Sequence, residues 1–305
     1  MKIAAAVVTH NRPEMLRKCI DALEGQSRPI DFIVIVDNAS TDGTPAFVEQ
    51  LRRANDRIDV VTLPRNTGAS GGFHACVKRS LELGADAVWV MDDDSYPERD
   101  CLMHLENTLV PGERECVCPL IVGTDGVPQL YHHKLHSPWM NERGIKLEPG
   151  RNLYEVSANA FVGPFFTARV VGEAGLPMEH FFIWFDDTEF TLRIAKHTTI
   201  VVNTDAVIRH QVYAPRTAGT VDWKELYGIR NKYWAMMRRG SFAIYAYWTA
   251  KAARSYLRYM VLSKDTWLNR LRFSTLYARL MIDAHRKKMD PFILSPATST
   301  MKLRR

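Results

Sequence analysis

A short apolar run that ends in three consecutive aspartates is the feature of this chain that most limits how it can fold. Val88–Met91 is entirely apolar and is followed directly by Asp92, Asp93 and Asp94. An apolar run of this kind is typical of a strand buried on both faces of a parallel sheet. The aspartates then lie at the carboxyl end of that strand, where open α/β sheets bind their ligands.

Clustering three carboxylates is unfavourable because neighbouring like charges repel, and a bound cation relieves that repulsion. Oxygen ligands favour Mg²⁺ or Mn²⁺, which in turn hold phosphate groups. The alternative is a solvated acidic turn that opens the next helix, since acidic side chains are favoured at a helix N-terminus. With the apolar strand in front of the aspartates, we favour a metal–diphosphate site.

The first part of the chain alternates between apolar runs and segments with helical spacing. The predicted strands are Ile3–Thr9, Phe32–Val36, Ile58–Leu63 and the run before the aspartates. The predicted helices start at Pro13, span Pro45–Arg53, and follow the glycine-rich turn Asn66–Gly72 as far as about Leu83. This alternation predicts an α/β fold with a mainly parallel sheet and flanking helices.

The rest of the chain is less regular and ends in a helical, basic section. Predicted elements are the strands Val117–Val122, Thr199–Val202 and Ala206–His210, the helix Asp187–Ala195, and a long excursion over 123–151. From Trp223 to about Met289 the pattern is helical and aromatic, and the last residues resemble a loose basic tail. We therefore predict two domains, residues 1–222 and 223–305.

Charge is distributed unevenly along the 305 residues. Lys224–Arg305 contains 18 Lys and Arg against 4 Asp and Glu, whereas the preceding residues contain 22 against 30. A basic section attached to an acidic body predicts an anionic partner. No nucleic-acid-binding module accompanies it, so we expect a membrane surface and no nucleic acid.

The compartment is predicted from the cysteines and the apolar segments. The five cysteines are scattered without a CxxC pair, which indicates reduced structural thiols. The amino terminus lacks a signal-peptide pattern, and no apolar stretch is long enough to span a bilayer. We expect a cytoplasmic protein.

Four polar loops follow the four predicted strands and should meet at one edge of the sheet. They are Thr9–Arg12, Asp37–Ser40, Asn66–Gly72 and the aspartate triplet. Asp37 can accept a hydrogen bond from a base imide, and the glycines permit close approach to a sugar or phosphate. Neither GxGxxG after the first strand nor GxxxxGK[ST] occurs, which argues against dehydrogenases and P-loop NTPases.

A second acidic group, Asp186 and Asp187, follows the aromatic run Phe181–Phe185. Aromatic surroundings can raise the proton affinity of a carboxylate enough for general-base work. The alternative is a helix cap, with Asp186 at the N-cap and Glu189 three residues later. Both functions are compatible if one acid caps while its neighbour reacts.

Two sets of histidines accompany the acids. His210 follows a short apolar run, where a single histidine is usually structural, although imidazole beside carboxylates also suits Mn²⁺. His132, His133 and His136 form a denser cluster, interpreted as a polar loop that contacts acceptor or solvent. A zinc site there would need a fourth ligand that the sequence does not offer.

Five motifs, taken in order, resemble those of the inverting family 2 glycosyltransferases of the GT-A fold. They are Thr9–Arg12, Val36–Gly43, Arg65-Asn66-x-Gly68, the aspartate triplet and Trp184–Glu189. The resemblance covers about residues 1–212. Gly68–Phe73 and Met91–Asp94 are most similar to bacterial galactofuranosyltransferases, and some rhamnosyltransferases share much of the pattern.

The resemblance implies a Rossmann-like GT-A sheet followed by a helical C-terminal region, and it implies roles for single residues. Asp92 and Asp94 match the acids of the DxD motif, which with His210 bind Mn²⁺ or Mg²⁺. Asp187 matches the catalytic base. Asp186 is the reserve candidate, because Phe185 stands where related enzymes have tryptophan. The implied acceptor contacts are Trp184 and Phe185. The implied donor-binding residues are Thr9, Asn11, Arg12, Asp37 (on the uracil), Asn38, Arg65, Asn66, Gly71, Gly72, Asp92 and Asp93.

The implied activity is inverting transfer of galactofuranose from UDP-galactofuranose to a lipid-linked bacterial surface glycan, such as one on a polyprenyl diphosphate. The alternatives are a rhamnosyltransferase that uses dTDP-rhamnose and a non-catalytic protein that binds sugar nucleotides or glycans. Homo-oligomer formation is left open.

The helical section predicts contact with a membrane. Between Ser241 and Leu262, an aromatic stripe recurs at helical spacing, and basic residues cluster on the opposite face. The stripe consists of Tyr245, Trp248, Ala252, Tyr256 and Tyr259, and the basic residues are Lys251, Arg254 and Arg258. Such helices suit the headgroup region of anionic membranes, so we expect peripheral association with the inner face of the plasma membrane. The alternative is that the stripe packs onto the catalytic domain.

Overall fold

A computed structural model describes residues 1–212, 220–221, 223–238, 241–262, 266–293 and 303–304. The chain divides into two units. The first unit comprises residues 1–136, 142–179 and 187–213, and the second comprises 137–141, 180–186 and 214–305. The division into domains 1–222 and 223–305 stays a prediction.

The first part of the first unit alternates strands and helices as predicted. Its elements are β1 (Ile3–Thr9), α1 (Pro13–Glu24), β2 (Phe32–Asp37), α2 (Thr44–Ala54), β3 (Ile58–Thr62), α3 (Gly68–Glu82) and β4 (Ala87–Asp92). Pro13 and Pro45 lie in the first turns of α1 and α2, where the missing proline N–H has no intrahelical partner to lose. The predicted turn Asn66–Gly72 was wrong in extent, because α3 already begins at Gly68.

The remaining elements up to His210 include several very short strands and two longer ones, Cys116–Gly123 and Ile200–His210. They are β5 (Ser95–Pro97), α4 (Cys101–Thr108), β6 (Cys116–Gly123), β7 (His133–His136), β8 (Glu142–Gly144), β9 (Leu153–Val156), β10 (Ala158–Asn159), β11 (Phe165–Thr167), α5 (Ala168–Ala174), α6 (Asp186–Ile194) and β12 (Ile200–His210). The two strands predicted over 199–210 are one strand, whose register against β6 shifts between Asn203 and Val207. The polar residues at this irregularity explain why the sequence suggested a break.

The central sheet has the strand order β3-β2-β1-β4-β11-β6-β12-β5, and β9 also pairs with β12. Strands β1 to β4 pair in parallel, as do β6 and β12. Strands β5, β9 and β11 run antiparallel to their neighbours. The predicted α/β class with a largely parallel sheet is therefore confirmed.

Both faces of this sheet are buried. Alternate residues of β1 point to opposite sides, so Ala5 and Val7 pack in one apolar cluster with Leu16 of α1. Val8 packs on the other side with Phe73 of α3. The five cysteines are buried and form no disulfide, in line with the predicted structural thiols.

Gly72 lets α3 approach β1 closely. A Cβ built on Gly72 would lie 2.5 Å from Cγ1 of Val8, which is shorter than any ordinary carbon–carbon contact. Gly71 is also inside α3, where a Cβ would collide with the side chain of Thr67. The two glycines therefore serve helix packing, and their predicted contact with the donor stays a prediction.

The second unit consists mainly of the helices α7 (Trp223–Met237), α8 (Phe242–Leu262) and α9 (Trp267–Ala284), with a short pair of strands, β13 (Thr220–Val221) and β14 (Leu303–Arg304). Helices α8 and α9 pack through aromatic rings: Tyr259 and Phe273 lie 4.2 Å apart between ring centroids, and Tyr256 and Tyr277 lie 5.3 Å apart. Part of the predicted aromatic stripe thus packs within this helical unit. Residues 294–302 and 305, most of the predicted basic tail, lie outside the described residues.

Within the described ranges, none of the helices combines the length and apolar character needed to cross a bilayer.

Candidate functional site

Strand register brings the predicted loops to one edge of the central sheet. Thr9 pairs with Asp37 across β1 and β2, and Val8 pairs with Asp92 across β1 and β4. The carboxyl ends of three neighbouring parallel strands therefore lie at the same level. This edge is where an open α/β sheet binds ligands.

The first two loops are fastened to each other by Asn11. Its backbone N–H donates to Ser40 Oγ at 2.9 Å, and its Oδ1 accepts from the Thr41 N–H at 2.7 Å. Asn11 adopts a left-handed conformation with φ of 55°, which asparagine tolerates better than most residues. Its polar groups thus shape the edge of the site.

The second and third loops are fastened by Asn38 in the same way. Asn38 Nδ2 donates to Asn66 Oδ1 at 3.1 Å and to the Gly68 carbonyl at 3.0 Å, while its Oδ1 accepts from the Thr67 N–H at 2.9 Å. Arg65 lies exposed on the same loop. These contacts hold the two loops together without using Asp37.

Asp37 is fully buried, and its two oxygens differ. Oδ1 accepts a hydrogen bond from the Ser40 N–H at 3.0 Å. Oδ2 is buried without a hydrogen-bond partner among the described residues. Leaving a buried acceptor unpaired is unfavourable by about 1–3 kcal/mol, so this oxygen is suited to a donor group on a ligand.

Asp93, the middle residue of the triplet, is held from within the protein. It accepts from Thr9 Oγ1 at 2.8 Å and from an Arg12 guanidinium nitrogen at 3.2 Å. Burial raises the pKa of Asp93 to about 6, although these two hydrogen bonds act in the opposite direction. The same Arg12 nitrogen lies 3.2 Å from Asp94 Oδ2.

Asp94 and His210 are brought together because β12 pairs with β5, which places His210 opposite Ser95. His210 Nε2 lies 3.4 Å from Asp94 Oδ1. His210 Nδ1 lies 2.9 Å from the side-chain carbonyl oxygen of Gln129. Since that oxygen can only accept, Nδ1 carries the proton, and Nε2 is the nitrogen that faces the carboxylate.

Two of the three predicted metal ligands, Asp94 and His210, present atoms that suit a divalent metal. A carboxylate oxygen and a correctly oriented imidazole nitrogen suit Mn²⁺, and the carboxylate suits Mg²⁺. Asp92, the third predicted ligand, is the last residue of β4 and lies two positions before Asp94. Across the described ranges, however, no group of three His, Cys, Asp or Glu side chains is assembled as a metal site would require. The complete set of Asp92, Asp94 and His210 stays a prediction.

Asp187 lies in the first turn of α6 and is half-buried, whereas Asp186 is buried. Asp187 Oδ1 accepts from Thr188 Oγ1 at 2.9 Å and lies 4.0 Å from Lys134 Nζ. Lys134 also donates to the same Thr188 hydroxyl. Lysine, hydroxyl and carboxylate thus form one chain of contacts that orients Asp187.

Strand β7 and His132, the residue directly before it, connect the two acidic groups. His133 has extended backbone angles, so the side chains of His132 and Lys134 lie on one face of the chain, about 7 Å apart. The His132 ring packs edge-on against His210 with centroids 5.4 Å apart, and Lys134 contacts the Asp187 pair. Burial lowers the pKa of His132 to about 2, which keeps it uncharged beside His210.

His133 points the opposite way, into the protein. Its Nδ1 lies 2.7 Å from Asn159 Oδ1, and burial lowers its pKa to about 4. The interpretation of residues 131–136 as a polar loop was wrong, because alternation along β7 gives neighbouring polar residues opposite environments. His133 is structural.

The predicted acceptor residues Trp184 and Phe185 lie in the second unit, in a loop held by α7. Phe182, Trp184 and Phe185 have φ values of 66°, 65° and 71°. Such left-handed conformations are unfavourable for aromatic residues and persist only where surrounding contacts impose them.

Those contacts come from Arg230 and Asn231, which are fully buried. Asn231 Nδ2 donates to the carbonyls of Phe181, Ile183 and Trp184 at 2.9, 3.0 and 2.7 Å. Arg230 donates to the carbonyls of His180 and Phe181 and pairs with Asp283 at 3.2 Å.

Sequence reasoning missed Gln129, Lys134, Arg230 and Asn231. One signal was present for Arg230: it lies four residues from both Leu226 and Trp234, on the apolar side of a helix. A charged residue in that position is expected to have a specific buried partner.

Comparison with known proteins identifies the family of this chain. A family model described as Glycosyl transferase family 2 matches residues 5–169. Galactofuranosyltransferase GlfT1 of Mycobacterium tuberculosis is 31% identical over 201 residues, which are 64% of this chain and 64% of that protein. The dTDP-rhamnosyl transferase RfbF of Shigella flexneri is 25% identical over 208 residues, 65% of each chain. The matches thus span less than two-thirds of the length of these relatives.

Among solved structures, GalNAc-T7 with UDP, GalNAc and Mn²⁺ superimposes with a TM-score of 0.65 at 14% identity. The match covers 91% of this chain and 54% of that one. At this identity the likeness concerns the fold alone, which is the GT-A fold.

Proposed function

Because this chain belongs to glycosyl transferase family 2, we propose that it is an inverting glycosyltransferase that moves a sugar from a nucleotide donor to a glycan acceptor. One observation carries the proposal: His132, directly before β7, packs against His210, and Lys134 of β7 contacts Asp187. The donor-side acids and the candidate base are thereby linked through two residues that are two positions apart in the chain.

The donor proposed is UDP-galactofuranose, bound along the carboxyl edge of the sheet. The unpartnered Oδ2 of Asp37 is suited to the imide N–H of uracil, and Thr9 lies beside it in register. Similarity to GlfT1 supports galactofuranose as the sugar. Similarity to RfbF supports dTDP-rhamnose as the second candidate, since thymine offers the same imide.

Asp92, Asp94 and His210 would hold a Mn²⁺ or Mg²⁺ ion, and Gln129 orients the imidazole. Such an ion, when bound, neutralises the negative charge that develops on the departing diphosphate. Arg12, which contacts both Asp93 and Asp94, contributes further positive charge at this place. Asp93 is proposed to face the ribose or the sugar.

Asp187 is the proposed base. As the half-buried member of the pair, it can accept a proton from an acceptor hydroxyl that attacks the anomeric carbon opposite the diphosphate. One displacement at one carbon inverts its configuration. Asp186 is buried and remains the reserve candidate, and Trp184 and Phe185 are the proposed acceptor contacts.

We propose that the acceptor is a lipid-linked glycan met at the inner face of the plasma membrane. The second unit exposes several large apolar side chains within its basic sequence: Phe242, Leu257, Val261 and Trp267. Apolar insertion with cationic surroundings is the combination that binds anionic bilayers. Flotation with anionic and neutral liposomes at low salt tests this. If the protein does not float with the anionic liposomes, the proposal is contradicted.

The decisive test of function compares Asp187→Asn with Asp186→Asn. We expect Asp187→Asn to abolish transfer from UDP-galactofuranose or dTDP-rhamnose while nucleotide binding, measured by calorimetry with Mn²⁺, stays nearly unchanged. Asp94→Ala should lose the metal-dependent part of donor binding. Near-normal turnover by Asp187→Asn would refute the assigned base. Donor binding without transfer by the wild-type protein would favour a non-catalytic sugar-nucleotide-binding protein.

A further inference from the structure

The second unit contains a surface on which two lysines flank one tryptophan ring. Lys251 Nζ lies 4.3 Å and Lys232 Nζ 4.7 Å from the centroid of the Trp248 ring. The two ammonium groups are therefore at most about 9 Å apart, close enough to repel each other. Lys232 Nζ also lies 5.5 Å from the Phe185 ring.

Further aromatic rings extend this surface. The rings of Trp139 and Tyr247 lie 5.4 Å apart, and those of Tyr247 and Trp248 lie 5.7 Å apart. We name Trp139, Phe185, Lys232, Tyr247, Trp248 and Lys251 the aromatic–lysine shelf. All six belong to the second unit.

The shelf is built rigidly rather than formed by loose surface side chains. Trp248 Nε1 donates to the Trp139 carbonyl at 3.0 Å. Asn141 Oδ1 accepts from both Tyr247 Oη at 3.2 Å and Lys251 Nζ at 2.6 Å. These bonds fix the rings and one ammonium group before any ligand arrives, which reduces the entropy lost on binding.

The charge of Lys251 is not neutralised by its neighbouring contacts. Within the described part of the chain, the ammonium group of Lys251 contacts an amide oxygen and two aromatic rings but forms no ion pair with a carboxylate. Aromatic faces attract cations but leave their charge in place. The ammonium group of Lys251 is thus suited to contact an anionic ligand.

We propose that the aromatic–lysine shelf binds a phosphate-bearing glycan. The rings offer flat apolar faces to the C–H side of a sugar, and Lys251 offers donors to phosphate oxygens. This proposal rests on the proposed function, because the lipid-linked acceptor proposed there carries a diphosphate next to its sugar. The same chemistry is offered by a free sugar phosphate, so the experiment separates the two sources.

The test is calorimetry on the full-length protein in EDTA, so that metal-dependent donor binding does not contribute. The probe is glucosyl diphosphate esterified with a short citronellyl chain. Glucose 1-phosphate, methyl glucoside and inorganic pyrophosphate are the comparison ligands. We expect the diphosphate ester to bind more tightly than each of the three, and its affinity to fall as salt rises.

Variants assign the binding to the shelf. Lys251→Gln should weaken the ester roughly tenfold, since one charge-assisted contact is lost. Trp248→Leu should weaken it similarly, while Trp248→Phe retains an aromatic face and most of the affinity. Arg279→Gln, on an exposed part of α9, makes the same change of charge away from the shelf and should have no effect.

The possible outcomes distinguish failure of the shelf proposal from failure of the proposed transferase function. Equal affinity in wild type, Lys251→Gln and Trp248→Leu overturns the shelf, even if the protein transfers sugar normally. Tight binding of glucose 1-phosphate but not of the ester shows a site for free sugar phosphates and overturns the lipid-linked assignment. Shelf-dependent binding of the ester in a protein without transferase activity sustains the shelf and refutes the proposed function.

Discussion

Lys134 Nζ lies 4.0 Å from Asp187 Oδ1, and the hydroxyl of Thr188 contacts both groups. The ammonium group is therefore an electrostatic partner of the carboxylate that is proposed as the base. The hydroxyl accepts from the lysine and donates to the aspartate, so it also fixes the orientation of the carboxylate. Lys134 acts as a positioning residue for Asp187.

Replacing Lys134 by methionine should lower kcat by about tenfold to a hundredfold while KM for the donor changes little. Without the ammonium group the Thr188 hydroxyl loses one of its partners, so the carboxylate is less well oriented. Steady-state kinetics at one fixed pH measures kcat and KM.

Lys134→Arg is the matched variant, because it keeps the charge and a hydrogen-bond donor and should recover part of kcat. If Lys134→Met leaves kcat unchanged, or lowers kcat only together with the thermal stability of the protein, Lys134 is not a positioning residue.

Gly72→Ala should destabilise the first unit by about 1–3 kcal/mol, because the added Cβ would lie 2.5 Å from Val8 Cγ1. Gly43→Ala is the control: Gly43 has a φ of −71°, and a Cβ there meets no atom within 4 Å. Denaturant unfolding monitored by circular dichroism gives both values. Equal effects of the two substitutions would contradict the proposed packing role.

His133 should make folding stability depend on pH. Burial lowers its folded pKa to about 4 from an ordinary value of 6.5, so the unfolded chain binds more protons between these limits. The stabilisation is complete above pH 6.5 and is lost as pH falls towards 4. Between pH 7 and pH 5 this group should contribute a loss on the order of 2 kcal/mol.

His133→Gln removes the titrating group while keeping a side chain that can hydrogen-bond Asn159. Its absolute stability will be lower, but its free energy of unfolding should fall less between pH 7 and pH 5 than that of the wild type. The same fall in both proteins would show that His133 is not the source.

Asn231→Ala should loosen the loop that precedes the paired acids, because three carbonyls lose their shared donor. Each buried acceptor left unpaired is unfavourable by about 1–3 kcal/mol, and the left-handed aromatic residues depend on these bonds. Limited proteolysis with chymotrypsin at residues 181–185 should become faster. Unchanged cleavage at these aromatic residues would show that Arg230 alone maintains the loop.

Local patterns in the sequence were enough to place the first four strands, the helices between them and the acidic triplet at a strand end. Buried parallel strands are continuously apolar, and their loops carry turn and capping residues, so each element is encoded by its own residues. The convergence of Thr9, Asp37 and Asp92 follows from parallel pairing and could be predicted.

What the sequence could not determine depends on partners distant in the chain. Gln129 orients His210 across 81 positions, and Lys134 reaches Thr188 across 54. Neither pair has a local signature, since a polar side chain is equally compatible with solvent until the fold brings its partner near. Local residue patterns are enough for the strands, the helices and the edge where polar loops meet. Which of those polar groups contact one another depends on the folded chain, because hydrogen bonds and ion pairs act over a few ångströms of space, whatever the separation along the chain.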